Sequence, residues 1–480
     1  MRFKQLAILL CVLLISSFFV NCTLTAKAET AQTSPSLYVG VDVAFESITQ
    51  TEQLIDNVSS YTNFFVIGSA QWISNSNGLG GVYNETRLTI ISQYVYNKGL
   101  NFIVYSGDPI YPSRQWLENA KKNFGSHFMG IYYFDEPGGK QLDQTNYPAV
   151  TSAKNFNNAA NNYTNTLNLW LRSGPYAITR DFDYPTEFPL LTSDYGLYWY
   201  DYEAGYNTVF AEFGYRSGNE NYSRQLSMAL CRGAATAFNQ NWGVMITWAY
   251  NQPPYMENGT QLYNDMVLAY ENGAKYIVVF DSNANYTGNV LTQTQLNYMK
   301  QFWKYTQDNP RTISQPSDRS AYVLPPDFGY GFRSPNDTIF GLWKADWDGT
   351  ASLTFVADVG MCVYTFLLML GTNLDILYPD GSQTVESLGY KNVIYWNDTN
   401  MVPNMPSMPP QAAAESAYTL QPIVSPQQGT SQSTYFTTIE LFTIATSILI
   451  ALAVAGALLR FRRRQSSAFN FTEKANGVME

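Results

Sequence analysis

A single histidine, His127, is all that 480 residues contain, and lysine and arginine together number only 28. One imidazole excludes metal sites built on several histidines, and it excludes a Ser-His-Asp triad unless His127 itself serves in it. Cysteine is equally scarce. Of four, Cys11 and Cys22 fall in an apolar leader, which leaves Cys231 and Cys362 in separate helix-like segments. These two read as buried thiols rather than a disulfide, so the core, not covalent staples, is expected to hold the fold. No EF-hand spacing of acids occurs, and no G-x-G-x-x-G follows the first strand-like run. The formal net charge is −10, with no basic run outside the last residues. A chain with that balance is a poor partner for nucleic acid or for nucleotides. The expectation is a protein without metal or cofactor.

What the sequence has in plenty is aromatic: 15% of residues, with 36 Tyr and 10 Trp. Such side chains fill cores, and on a surface they suit ligands with flat apolar faces and polar rims, such as sugars. The ends carry targeting signals. Arg2 and Lys4 precede an apolar run from Leu6 to Val20, and Ala26-Lys27-Ala28 offers a cleavage site, so residues 1–28 read as a signal peptide. Leu441 to Leu459 is an unbroken run without charge. At ~1.5 Å per residue it covers the ~30 Å hydrocarbon layer, which predicts a transmembrane helix over 441–459. Arg460, Arg462, Arg463 and Arg464 follow. They place 460–480 in the cytoplasm and the rest at the cell surface. Eight N-x-S/T triplets, at Asn57, Asn84, Asn162, Asn221, Asn258, Asn285, Asn336 and Asn397, fit a glycosylated ectodomain. Residues 401–433, rich in Pro, Ser and Gln, read as a stalk.

From Leu37 onward, strand-like runs alternate with helical patterns. The runs are Tyr38–Phe45, Asn63–Gly68, Asn101–Ser106, Gly130–Phe134, Tyr195–Asp201, Thr208–Phe213, Gly243–Tyr250 and Lys275–Asp281. Several are near-continuous apolar runs, as in parallel strands covered on both faces. Between them, Leu226, Leu230, Ala234 and Phe238 recur at a spacing of four, and Thr292-x-x-Gln295 spells a capping box. Eight runs in β-then-α order over about 270 residues predict a (β/α)8 TIM-type barrel at 37–307, an α/β fold, with an open doubly wound sheet as the alternative. One joint fits badly: only YEAGYN separates the fifth and sixth runs, and a parallel crossover needs about a dozen residues. Either the fifth helix is reduced to a turn or the fifth strand lies earlier, near Pro175–Thr179. A polar linker, Asp308 to Ser320, leads to a second unit at 321–397, a small C-terminal α/β appendage with a helical pattern at Ser352–Leu370 and strand-like runs at Leu374–Leu377 and Val393–Trp396.

In a parallel barrel, chemistry sits at the C-terminal ends of the strands. The eight run ends offer carboxylates and aromatics and no lysine or arginine. Asp42, Trp72, Tyr105, Asp108, Trp199, Asp201, Trp248, Tyr250 and Asp281 are the expected substrate-binding residues, and Asp135, Glu136 and Glu212 the expected catalytic ones. His127 falls at the opposite end and reads as structural. Carboxyl groups alone can hydrolyse a glycosidic bond, one protonating the leaving oxygen while another supplies a base, a nucleophile or a charge.

The run order, the export signals and the Asp135-Glu136-Pro137 triplet after the fourth run resemble glycoside hydrolases of the (β/α)8 type, over about residues 37–305. Many of these carry the acid/base Glu at the end of the fourth strand, so the resemblance implies Glu136 as general acid. The large retaining group also has a nucleophile at the end of the seventh strand. Here that place reads TWAYNQPP, with no carboxylate before Glu257. The adjacent acid pair is also similar to that of β-hexosaminidases and related N-acetylgalactosaminidases, which implies Asp135 orienting a substrate acetamido group while Glu136 protonates the leaving oxygen. A third arrangement pairs Glu136 with Glu212 across the barrel mouth. Against all three stands a structural use of the acids, with Asp135 capping a helix whose first turn holds Pro137. The resulting expectation is a cell-surface glycosidase acting on extracellular or envelope polysaccharide. The alternative is a glycan-binding or envelope structural or adhesion protein on the same barrel.

Overall fold

Eight parallel strands close into a barrel, in sequence order, in the computed structural model. It describes residues 37–68, 84–107, 111–138, 156–173, 188–194, 196–215, 220–249, 256–282, 287–329 and 353–398. The strands are β1 (Tyr38–Val43), β2 (Phe64–Ile67), β3 (Asn101–Ser106), β4 (Phe128–Tyr133), β5 (Leu190–Asp194), β6 (Thr208–Tyr215), β7 (Asn241–Ala249) and β8 (Tyr276–Phe280). Each is followed by a helix: α1 (Ile48–Val58), α2 (Glu85–Asn97), α3 (Arg114–Phe124), α4 (Phe156–Ser173), α5 (Tyr198–Ala204), α6 (Glu220–Ala237), α7 (Gly259–Glu271) and α8 (Gln293–Asp308).

The apolar runs form strands because both of their faces are buried. Along β1, Val39, Val41 and Val43 pack outward against the helices, while Tyr38 points into the barrel and stacks on Tyr276 at 5.0 Å between ring centres. Phe64, Phe210, Tyr276 and Tyr38 plug the N-terminal half of the barrel. The helices start where the sequence punctuates them: Ser47 with Gln50, and Thr292 with Gln295, both form the reciprocal capping box. His127 lies at the N-terminal end of β4, with Nδ1 3.0 Å from the Leu100 carbonyl oxygen.

The fifth strand corrects the sequence reading. It is Leu190–Asp194, and Tyr198–Ala204 is helical. Tyrosine and tryptophan give LYWYDY the composition of a strand. Its buried positions nonetheless include Leu197, Tyr198, Asp201 and Tyr202, spaced for a helix face. Gly205, at φ 123°, ends that helix in a conformation that favours glycine. The true strand escapes notice because it is short and ends in Thr192, Ser193 and Asp194.

Beyond the barrel, β9 (Ser320–Val323), β10 (Leu374–Leu377) and β11 (Asn392–Tyr395) form a parallel sheet in the order β10-β9-β11, with α9 (Leu353–Leu370) preceding β10. The sheet locks onto α6 through a buried charge cluster. Asp375 receives Arg232 Nε at 2.7 Å and Arg319 Nε at 2.9 Å, and the Tyr390 hydroxyl donates to it at 2.7 Å. Cys231 and Cys362 are free thiols. Among the described residues no helix is long and apolar enough to cross a membrane. The run at 441–459, with the leader, the stalk and the tail, lies outside the described residues.

Candidate active site

At the C-terminal mouth of the barrel a cavity of about 290 Å³ opens. Every strand end contributes to it: Asp42, Gly68, Tyr105, Tyr132 with Asp135 and Glu136, Ser193, Glu212, Met245 with Thr247, and Phe280. Among the described residues four carboxyl groups line it, and no lysine, arginine or histidine does. The fold thus brings together Asp42, Tyr105, Asp135, Glu136 and Glu212.

The turn after β4 presents its acids through an unusual backbone. Phe134 and Glu136 both have positive φ, 51° and 47°. For side chains other than glycine this conformation costs on the order of 1–3 kcal/mol each and persists only where surroundings hold it. Here β5 does the holding. The Glu136 N–H donates to the Ser193 carbonyl at 3.1 Å, and the Thr192 hydroxyl donates to the Phe134 carbonyl. The chain is helical at Pro137 and Gly138, and the Gly138 N–H donates to Asp194 Oδ2 at 3.0 Å. A Cβ at Gly138 would stand 2.9 Å from that oxygen, so the approach requires glycine. Asp194 therefore takes the capping role that the sequence allows for Asp135, and Asp135 is left to face the cavity.

Asp135 is tied to Glu212 by two hydroxyls. Ser193 Oγ lies 2.9 Å from Glu212 Oε1, Tyr132 Oη lies 2.6 Å from Ser193 Oγ, and the Tyr132 hydroxyl donates to Asp135 Oδ1 at 2.5 Å. A longer approach of 3.1 Å joins Ser193 Oγ to Asp135 Oδ1. Three short contacts in series require three hydrogens, and the two hydroxyls own two. The third must sit on a carboxyl group. Burial first, then the nearby charges of Glu136 and Asp135, push the Glu212 pKa well above the ordinary carboxylate range. That shift favours the protonated form of Glu212, which is 8% exposed and lies within β6.

The opposite wall, from β7 through β8 to β1, is less satisfied. Asp42 Oδ1 and Thr247 Oγ1 are buried and have no hydrogen-bond partner. A Cβ on Gly68 would come within 2.5 Å of Asp42 Oδ1, so glycine keeps room for that oxygen. Burial, then the charges of Asp135 and Glu46, raise the Asp42 pKa well above its ordinary value.

The other expected residues lie elsewhere. Trp199 and Asp201 sit on α5, not at a strand end. Trp199 packs against Phe238 and Tyr378, and Asp201 is buried and accepts from the Tyr163 hydroxyl at 2.8 Å. Asp281 is fully buried and receives the backbone N–H groups of Val290 and Leu291 at 2.9 Å, which fixes the turn after β8. Trp72, Asp108 and Tyr250 lie outside the described residues, as does the side chain of Trp248 on β7. Sequence reasoning missed Tyr132, Ser193, Asp194 and Thr247. For Tyr132 the signal was its inward place in the alternation of β4; for Ser193 and Asp194 the misplaced fifth strand hid it. Among the described residues no group of three or more His, Cys, Asp or Glu side chains is arranged to hold a metal ion.

No protein-family model and no curated protein matches the sequence. Among solved structures, the chain is similar to a β-galactosidase from the psychrophilic Marinomonas ef1, at 10% identity and a TM-score of 0.49, covering 75% of this chain and 72% of that one. It is also similar to a GH5_18 protein from Streptomyces cattleya, at 10% identity and 0.46, covering 75% and 99%. A third is α-L-fucosidase isoenzyme 2 from Paenibacillus thiaminolyticus, at 11% and 0.44, covering 80% and 62%. These neighbours are glycoside hydrolases, and the fold of the present chain is an eight-stranded parallel barrel with flanking helices.

Proposed function

We propose that the cavity hydrolyses glycosidic bonds, with Glu212 as proton donor and Asp135 and Glu136 as the negative partners. The observation that carries this reading is the convergence of the three carboxyl groups, from β4 and β6, on one cavity, with burial and neighbouring charge favouring the protonated form of Glu212. As the bond to the anomeric carbon breaks, the Glu212 proton passes to the leaving oxygen. The charges of Asp135 and Glu136 stabilise the oxocarbenium-like centre. Half-buried Glu136 takes the proton of the water that completes hydrolysis. The chain Asp135–Tyr132–Ser193 offers Glu212 a route to a new proton. The resemblance of the sequence implied Glu136 as the acid; the hydrogen-bond count favours Glu212.

The apolar run at 441–459 and the arginines after it support a barrel displayed outside the cell on a membrane tether, where polysaccharide is the accessible substrate. The direct test is to assay the full-length protein against chromogenic glycosides and native polysaccharides, with Glu136→Gln and Glu212→Gln as controls. Hydrolysis abolished by both substitutions is the expected result. Hydrolysis that survives both removes these residues from the mechanism. Oligosaccharide binding without any turnover establishes the glycan-binding alternative.

A further inference from the structure

The two walls of the cavity differ in a way that points to the ligand. On the β4–β6 wall each polar group has a neighbour. On the β7–β8–β1 wall, Asp42 Oδ1 and Thr247 Oγ1 have none, although the two residues are only 4% and 7% exposed. They face the same space. Asp42 is in register with Phe280, and Ile246 pairs with Val279, one residue before Thr247 and Phe280. Phe280 thus stands between the two residues in the strand order of the wall. A buried polar atom left unpaired costs about 1–3 kcal/mol, which a bound ligand recovers by pairing with it.

The chemistry required of that ligand is narrow. It must present an apolar face to Phe280, a donor to Asp42 and a polar neighbour to Thr247. It must also enter a cavity that holds four carboxyl groups and, among the described residues, no cationic side chain. A carboxylate-bearing or sulfated sugar would meet only repulsion there. A metal ion is disfavoured by the absence, among the described residues, of a suitable cluster of ligating side chains. A protonated amine beside a sugar hydroxyl meets these conditions: the amine donates to Asp42 and offsets the negative charge of the cavity, and the neighbouring hydroxyl pairs with Thr247.

Building on the reading that the cavity takes sugars, we propose that Asp42 and Thr247 form a subsite for the free amino group of a hexosamine unit, whose ring lies on Phe280. The substrate class is then a glycan with de-N-acetylated amino sugars. Asp42 accepts from the amine, whose positive charge favours the ionised carboxylate, and Thr247 holds the ring through a neighbouring hydroxyl.

Binding of glucosamine, glucose, N-acetylglucosamine and glucuronate to the full-length protein, by ligand-observed NMR or calorimetry, tests this. Glucosamine should bind on the order of 10- to 100-fold more tightly than glucose, the worth of one charge-assisted hydrogen bond. Glucuronate should bind most weakly. Asp42→Asn should bring the binding of glucosamine down to that of glucose, and Thr247→Val should reduce the preference by a smaller factor. Circular dichroism checks that both variants fold. The subsite is refuted if glucose or N-acetylglucosamine binds as tightly as glucosamine, if Asp42→Asn keeps the preference, or if no sugar binds. A protein that prefers glucosamine but cleaves nothing loses the hydrolase reading and keeps this one; a protein that cleaves neutral glycosides and ignores the amine does the reverse.

Discussion

Two clusters of charged side chains in this molecule are built on opposite plans. Where the appendage meets α6, Asp375 faces two guanidinium groups and a phenol, and both of its oxygens are engaged. At the barrel mouth four carboxyl groups share one cavity without a single basic neighbour among the lining residues. A buried charge costs several kcal/mol unless it is paired. The junction meets that cost with complementary charge. The mouth lessens it by raising the pKa of its two buried acids, Asp42 and Glu212. Complementary charge makes a fixed joint, whereas protonated acids make a reactive, unfilled site. The difference marks one region as structural and the other as functional without recourse to any relative.

Substitutions should separate the two. The largest effect expected is at the mouth. Glu212→Gln keeps the shape and the hydrogen bond to Ser193 but removes the transferable proton, so hydrolysis should fall by about 10²–10⁴-fold. Stability should hold, because Glu212 is already uncharged in the folded state. A variant that loses activity and also melts far below the parent would show that the acid is structural. At the junction the pattern reverses. Asp375→Ala leaves Arg232 and Arg319 facing each other in the interior, and the loss should be about 3–5 kcal/mol. Denaturant unfolding measures it. A loss under 1 kcal/mol would mean that the cluster does not secure the appendage.

A third test sets the two plans against pH. Burial, and then the charge of Asp281, raise the Glu46 pKa from its ordinary value to about 7, and burial raises Asp281 to about 6. Raised acids bind more protons folded than unfolded. Their contribution is complete below the ordinary carboxylate range and is lost as pH rises through 6 to 7. For Glu46 the change is about 3 kcal/mol. The unfolding midpoint should therefore be higher at pH 5 than at pH 8, and the opposite order would contradict the burial of Glu46 and Asp281 as protonated acids.

How much of this was legible in the sequence follows from the same physics. Seven strands could be placed because an apolar run buried on both faces leaves an unmistakable pattern, and Asp42, Tyr105, Asp135, Glu136 and Glu212 follow from strand ends alone. The fifth strand could not be placed so easily. Its five residues end in hydroxyls and a carboxyl, while the helix after it, rich in Tyr and Trp, carries stronger strand propensity than the strand itself. That one displacement put Trp199 and Asp201 at the rim and hid Ser193 and Asp194, which hold the catalytic turn. Asp281 reads in sequence like any other strand-end acid. Only the backbone N–H groups that converge on it reveal that it fixes a turn. The proton on Glu212 is likewise a property of four oxygens from three strands, and no local pattern encodes it.

The smallest effect is the most specific. Ser193→Ala removes the hydroxyl between Glu212 and Tyr132 while leaving every carboxyl group in place. If Glu212 acts as the acid, the alkaline limb of the pH–rate profile reports its loss of the proton. The Ser193 hydrogen bond favours the charged form of Glu212, so it lowers that pKa. Without it the alkaline limb should move upward by about half to one unit, the worth of about 1 kcal/mol. Turnover should fall by roughly tenfold at most, since the acid is retained and only its route of reprotonation is cut. A merely structural Ser193 would lower activity evenly at all pH values. A limb that moves downward would show that Ser193 stabilises the protonated form of Glu212 rather than its carboxylate.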